Sequence, residues 1–278
     1  MRYKEQHVAR PLQGKPALSQ ATKLGKSDGL AIAASLGLLL LFFLLHHATL
    51  QNRTHVLILI GITVGFALLG WVTRGVNLGG AIAGGAVALV LAASDLRMFW
   101  VLLVIFAITL AATRIGRSRK RELRASEAED GRSASQVMAN LGIAALLVSI
   151  APNGWELVAV AALAEAAADT SSSEIGMAFP GQTVLLTTWK RVPPGVDGGV
   201  SFPGTCAAVL AASGVALSAR LLHLTGTHQT SVIIYAGVLG MLFDSLLGAL
   251  LERRGYLNND AVNLLSTAAA AGIAWLFI

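Results

Sequence analysis

Asp169 and Asp244 stand in or beside strongly apolar sequence, in Ala-Ala-Ala-Asp-Thr-Ser-Ser-Ser-Glu and Met-Leu-Phe-Asp-Ser-Leu-Leu-Gly. A carboxylate near hydrocarbon costs several kcal/mol unless it is paired, metal-bound or wet. Glu165 lies one helical turn before Asp169, and Thr170, Ser173 and Glu174 follow it. Carboxylates with neighbouring hydroxyls suit Mg²⁺, a hard cation that prefers oxygen ligands. A second acidic face is Asp244, Ser245, Gly248 and Glu252.

Three further clusters complete the polar inventory. The stretch Thr188-Trp189-Lys190-Arg191-Val192-Pro193-Pro194-Gly195-Val196-Asp197-Gly198-Gly199-Val200-Ser201 combines positive charge with glycines. Glycines admit positive φ, so successive N–H groups of such a loop can form an anion-binding nest, with Lys190 beside it. Ser201 and Gly204 then open a helix whose N-terminus would point at the same anion. Gln136 and Asn140 share a helix face that Ser133 or Ser135 caps. Asn259, Asn263 and Thr267 form a stripe at helical spacing, with Asn259 or Asp260 as the helix cap.

The chain has no Ser-His-Asp order, Cys-x-x-Cys pair or His-Glu-x-x-His. Carboxylates, hydroxyls, amides and a basic Gly-rich loop suit phosphoryl or nucleotidyl transfer, which needs positioning and charge neutralisation more than covalent chemistry.

These residues must be positioned by membrane helices. The 278 residues are 55% hydrophobic and 13% charged, about half the charge of a soluble domain, so the chain is a polytopic membrane protein. Apolar runs at 29–46, 55–72, 77–94, 98–113, 135–151, 154–170, 202–222, 231–251 and 261–278 predict an all-α bundle of about nine spans. The net charge of +6 gathers in Arg2 to Lys26 and in Arg114 to Arg132. No aromatic platform accompanies it, which excludes a nucleic-acid surface and leaves topology and anionic-lipid contacts. The positive-inside rule puts the N-terminus in the cytoplasm, with the loops near 114–134, 171–201 and 252–260 on the same side. The organisation expected is a basic segment 1–28 followed by one catalytic bundle over 29–278.

Smaller signals are read as packing or anchoring. Gly61 with Gly65, and Gly80 with Gly84, are small-xxx-small pairs that let helices approach in lipid. Cys206, the single cysteine, is assigned to helix packing. Arg74, Asn77 and Arg114 are interfacial anchors within reach of a headgroup. Trp71, Trp100, Trp155 and Trp189 belong to an interfacial belt.

In this order the motifs resemble one integral-membrane family. They are Ala168-Asp169-Thr170, Ser173-Glu174-Ile175-Gly176, Thr188 with Lys190, Val192-Pro193, Gly195, Gly198-Gly199-Val200-Ser201, Asp244-Ser245-Leu246-Leu247-Gly248-Ala249, Asn258-Asn259 and Val262-Asn263. The family, formerly of unknown function, includes transmembrane protein nineteen and the phytyl-phosphate kinases, and the likeness runs from about Gly65 to the C-terminus. More distantly, the acidic motif followed by Lys and Gly-Gly is similar to CDP-lipid synthases and polyprenol kinases.

The resemblance implies a kinase that converts an isoprenoid monophosphate to the diphosphate, in the cell (inner) membrane with its site facing the cytoplasm. Asp169, Glu174 and Asp244 would hold Mg²⁺ and act in catalysis with Lys190. Gln136, Asn140, Thr170, Ser173, Thr188, Gly195, Asp197, Gly198, Gly199, Ser201, Ser245, Asn259 and Asn263 would bind nucleotide or acceptor. The partners implied are a nucleoside triphosphate with CTP favoured, a prenyl-phosphate lipid and membrane lipids, and a homodimer is allowed. A cytidylyltransferase, or a lipid or ion transporter using the carboxylates, would draw on the same groups.

Overall fold

The computed structural model describes residues 26–46, 53–123, 131–150, 155–179 and 181–278. Most of the basic segment 1–28, and Arg124 in the second basic cluster, lie outside the described residues.

Among the described residues, nine longer helices lie over the nine apolar runs: α1 (Lys26–Leu45), α2 (Arg53–Val72), α3 (Leu78–Ser94), α4 (Leu96–Arg114), α6 (Ala134–Ile150), α7 (Glu156–Ala178), α8 (Phe202–Leu221), α9 (Thr227–Leu250) and α10 (Asn259–Trp275). A short α5 (Arg117–Glu122) follows α4. Helices α1, α2, α4, α8 and α9 are long and apolar enough to cross a membrane, and α3 and α6 are shorter apolar helices.

Helix α7 is the axis of the bundle. Its Ala-rich run from Leu157 to Ala168 is buried throughout, as expected of a helix apolar on all sides. It packs against α4, α6, α8, α9 and α10, because methyl-sized side chains let those backbones come close. A Cβ on Gly237 of α9 would stand 3.2 Å from the Ala164 carbonyl carbon, and one on Gly240 would stand 2.5 Å from Glu165 Cγ. Helices α1 and α2 lie outermost, exposing Leu30, Leu40, Leu57 and Leu68 as a lipid-facing surface.

Helix α7 does not stop at residue 170, where its apolar run ends, but continues to Ala178, so Ser173 and Glu174 are helical rather than part of a loop. The connection that follows is a small antiparallel sheet. Strand β1 (Thr183–Leu185) pairs with β2 (Arg191–Val192) on one side and β3 (Gly199–Ser201) on the other. At the opposite end of the bundle, Arg97 Nη1 donates to the His223 carbonyl at 3.1 Å, tying the α3–α4 turn to the α8–α9 turn.

Two packing expectations are corrected. A Cβ on Gly61 or Gly65 would meet nothing within 4 Å, so that pair seats no helix among the described residues. Gly80 does serve a close approach, since its Cβ would lie 2.3 Å from the Arg132 carbonyl oxygen, whereas Gly84 only reaches Val137 at 3.8 Å. Cys206 is exposed on α8 instead of packed between helices.

Candidate active site

Helix ends gather the polar clusters. The C-terminal ends of α7 and α9, the N-terminal ends of α6 and α10, and the β2–β3 loop enclose a polar cavity of about 340 Å³. Each end has its own local cause. Ser133 caps α6 through a Ser-x-x-Gln box: Gln136 N donates to Ser133 Oγ at 3.3 Å, and Ser133 N donates back to Gln136 Oε1 at 2.8 Å. Asn140 Nδ2 donates to the Gln136 carbonyl at 2.8 Å. Asn258, not Asn259 or Asp260, caps α10 by accepting from Ala261 N at 2.9 Å, which leaves Asn259 on the cavity wall.

The glycines bring backbone against backbone. Gly198 sits at φ +75°, and its Cβ would lie 2.4 Å from Ala249 N, so the loop docks directly on the end of α9. A Cβ on Gly204 would lie 2.6 Å from the Ser172 carbonyl oxygen, seating α8 against α7 with Ser201 as its cap.

Every residue assigned to catalysis or to nucleotide or acceptor binding lines the cavity except Thr188 and Lys190. The β1–β2 turn, closed by hydrogen bonds from Thr188 N and Trp189 N to the Leu185 carbonyl, holds both at an exposed tip. Thr267 also falls outside. It is fully buried, and its hydroxyl turns back to the Leu264 carbonyl at 2.9 Å.

Asp169 and Asp244 face one another within hydrogen-bonding reach, and Ser266 Oγ donates to Asp244 Oδ2 at 3.2 Å. Glu165 lies beneath them, 1% exposed, close enough for electrostatic repulsion with both. Among the described residues neither of its oxygens has a hydrogen-bond partner, and the buried Asn263 Oδ1 has none either.

Glu174 has a different neighbour. Its carboxylate accepts from the buried Lys120 ammonium of α5, which also donates to the Ala112 and Thr113 carbonyls at 3.0 and 2.8 Å. Lys120 thereby caps the C-terminal carbonyls of α4 and neutralises Glu174. The expected trio of Asp169, Glu174 and Asp244 is not assembled as one ligand set. Among the described residues, no three His, Cys, Asp or Glu groups converge enough to hold an ion by themselves.

The cavity's charge also differs from expectation. Asp169, Glu174, Asp197, Asp244 and Glu252 line it, and Arg132 is the one cation among its described lining residues. By sequence alone Arg132 opens the polar stretch that runs into Gln136 and Asn140, whereas Lys120 is one basic residue among several in the loop after α4. In Arg-Ser-Arg-Lys-Arg-Glu nothing marks Lys120; only the left-handed turn at Gly116, φ +66°, folds that side chain under α4.

Known proteins agree with the motif reading. The family described as "Integral membrane protein DUF92" matches residues 61–271. An uncharacterized membrane protein of Methanocaldococcus jannaschii is 37% identical over 175 residues, covering 60% of this chain and 70% of its own. Protein PGR of Arabidopsis thaliana is 32% identical over 213 residues, covering 66% of this chain and 74% of its own. The chloroplastic protein VTE6 of the same plant is 30% identical over 184 residues, 62% of this chain and 55% of its own. No solved structure matches. With three quarters of its length inside that match, the chain belongs to the DUF92 family of integral membrane proteins.

Proposed function

We propose that this protein is a membrane-embedded kinase that transfers the γ-phosphate of a nucleoside triphosphate, CTP favoured, to a prenyl monophosphate. The motif resemblance to phytyl-phosphate kinases supports that reaction, as does the likeness to protein VTE6. The active site faces the cytoplasm of the cell (inner) membrane.

The observation that carries the reading is the acidity of the cavity. With Glu174 paired to Lys120, the other four carboxylates outweigh one arginine and repel a bare triphosphate, so such a substrate enters only with divalent cations. The donor set fits Mg²⁺. Asp169 and Asp244 are adjacent oxygen ligands, and Asn263 Oδ1 is buried without a partner in the cavity wall. Mg²⁺ characteristically takes one or two carboxylates plus substrate phosphates, which accords with a pair rather than a trio. Asp169 and Asp244 would hold the ion, and bound there it would supply neutralisation of the triphosphate's charge.

The chain's own groups do the rest. The loop from Gly195, closed by the Gly199 N–H donating to the Val196 carbonyl and fixed to α9 through Gly198, would turn its remaining N–H groups to phosphate oxygens, and Ser201 caps the α8 N-terminus beside it. Gln136, Asn140 and Asn259 orient nucleotide or acceptor from the facing helices. Glu174, neutralised by Lys120, fixes the wall between them. An acceptor phosphate oxygen attacks the γ-phosphorus. The bond to the β–γ bridging oxygen breaks, and its electron pair leaves on the β-phosphate. The acceptor is already anionic, so no general base is needed.

The acidity favours one other reading, a cation transporter using the same carboxylates. Incubation of the purified protein with Mg²⁺, prenyl phosphates and CTP labelled at the γ- or α-phosphate separates the possibilities. Transfer of γ-label to lipid is expected; α-label transfer indicates a cytidylyltransferase, and neither favours transport. Asp169→Asn and Asp244→Asn are each expected to lower kcat/KM by about 10²-fold or more, the scale of losing a charge-stabilising group in an active site. Full activity in both would sink the site assignment.

A further inference from the structure

We propose that a second, apolar cavity is the acceptor site, built for a lipid with a single narrow tail and a phosphate monoester head. The proposal rests on the kinase reading for the reaction but not for the binding.

This cavity, about 110 Å³, lies between α2, α3, α4 and α6. Its interior is hydrocarbon, contributed by Phe66, Leu102, Ile105 and Phe106, and it exists because Ala67, Gly70, Ala81 and Gly84 bring little or no side chain to the same space. Its rim is cationic, with Arg74, Arg114, Arg117 and Arg132 around it. Among the described residues Arg74 and Arg117 carry no ion pair. An apolar slot under the guanidinium groups of Arg74 and Arg117 is complementary to a tail ending in a phosphate. The bulk of the tail beyond the slot would lie among bilayer lipids.

The rim is fixed by backbone. Arg132 N donates to the Gly75 carbonyl at 3.1 Å, and Asn77 N donates to the Arg132 carbonyl at 2.9 Å. Gly131, at φ +83°, lies so close that its Cβ would be 2.8 Å from Val76 backbone atoms. Arg132 is thus held at one place, and that place is shared. Arg132, Gln136, Asn140 and Glu174 line both cavities. A phosphate bound by Arg132 at the end of the apolar slot stands at the junction with the acidic cavity, where the kinase reading puts the donor.

The test uses the full chain in nanodiscs and a farnesyl monophosphate analogue with a photoactivatable diazirine on its tail. Cross-links to Phe66, Leu102 or Phe106 are expected, blocked by farnesyl phosphate but not by farnesol. Gly84→Leu should abolish labelling by filling the slot, whereas Gly84→Ala should retain it, since a Cβ there meets only Val137 at 3.8 Å. Arg132→Gln should weaken labelling about tenfold, the scale of one lost charge-assisted contact. Labelling confined to outward leucines such as Leu40 or Leu57, unchanged labelling in Gly84→Leu, or equal competition by farnesol overturns the site. Labelling in the slot without γ-transfer from any nucleoside triphosphate sinks the kinase reading and leaves the lipid site standing. Transfer with the label elsewhere does the reverse.

Discussion

Replacing Lys120 by Met removes an ammonium that binds α5, α4 and α7 together. Its Nζ is almost wholly buried and serves three acceptors, the Ala112 and Thr113 carbonyls and Glu174. Methionine keeps much of the stem's volume, so the loss is electrostatic. It leaves a buried carboxylate without its cation, which costs about 3–5 kcal/mol. In a Glu174→Gln background that charge is already gone, and the double variant should recover about 2 kcal/mol of the summed losses, within the range of couplings between contacting groups. Unfolding of the purified protein by SDS in mixed micelles, followed by tryptophan fluorescence, measures all three variants. A Lys120→Met loss within about 0.5 kcal/mol of wild type, the range of inert surface changes, would refute the reasoning. So would strict additivity in the double variant.

Other substitutions test separate contacts. Gly198→Ala forces a Cβ against Ala249 and a side chain into positive φ, a strain of about 1–2 kcal/mol that should raise the nucleotide KM while leaving lipid cross-linking unchanged. Gly240→Ala overpacks Glu165 and the Ala270 Cβ, 2.9 Å away, and should destabilise the bundle by about 1–3 kcal/mol in the same SDS titration. Lys190→Ala alters only the exposed hairpin tip, so kcat/KM should stay within about threefold of wild type, under 1 kcal/mol; a hundredfold drop would show that the tip folds over the cavity.

Much of this arrangement was legible in the sequence. Apolar run length locates the long helices seen among the described residues, because in lipid the backbone has few alternatives to a helix. The cost of stranded carboxylates pointed to Asp169 and Asp244. What could not be read depends on direction rather than type. Lys190 and Lys120 each have a basic neighbour and each lie in a connection between long helices. The β1–β2 turn carries Lys190 outward, whereas the Gly116 turn carries Lys120 inward. Helix α7 also outran its hydrophobic pattern, because Ser172 packs on Gly204 and Glu174 on Lys120, and polar contacts extended it to Ala178. Gly61 and Gly65 show the converse, a spacing that suits packing on a face that meets no neighbour.

The glycines of α9 fix more than packing. Gly240 and Gly248 stand one turn before and one turn after Asp244, the first against α7 and the second against the Gly198 loop. Both contacts leave little room for a side chain, which resists sliding of the helix. The depth of the Asp244 carboxylate is therefore set by close contacts on either side of it, side chains of α7 and α10 at Gly240 and the Gly198 backbone at Gly248. Exchanging the lipid-facing side chains of α9, such as Tyr235 or Leu239, should leave the reacting groups in register. The outer surface is free to suit bilayers of different composition while the chemistry stays in place.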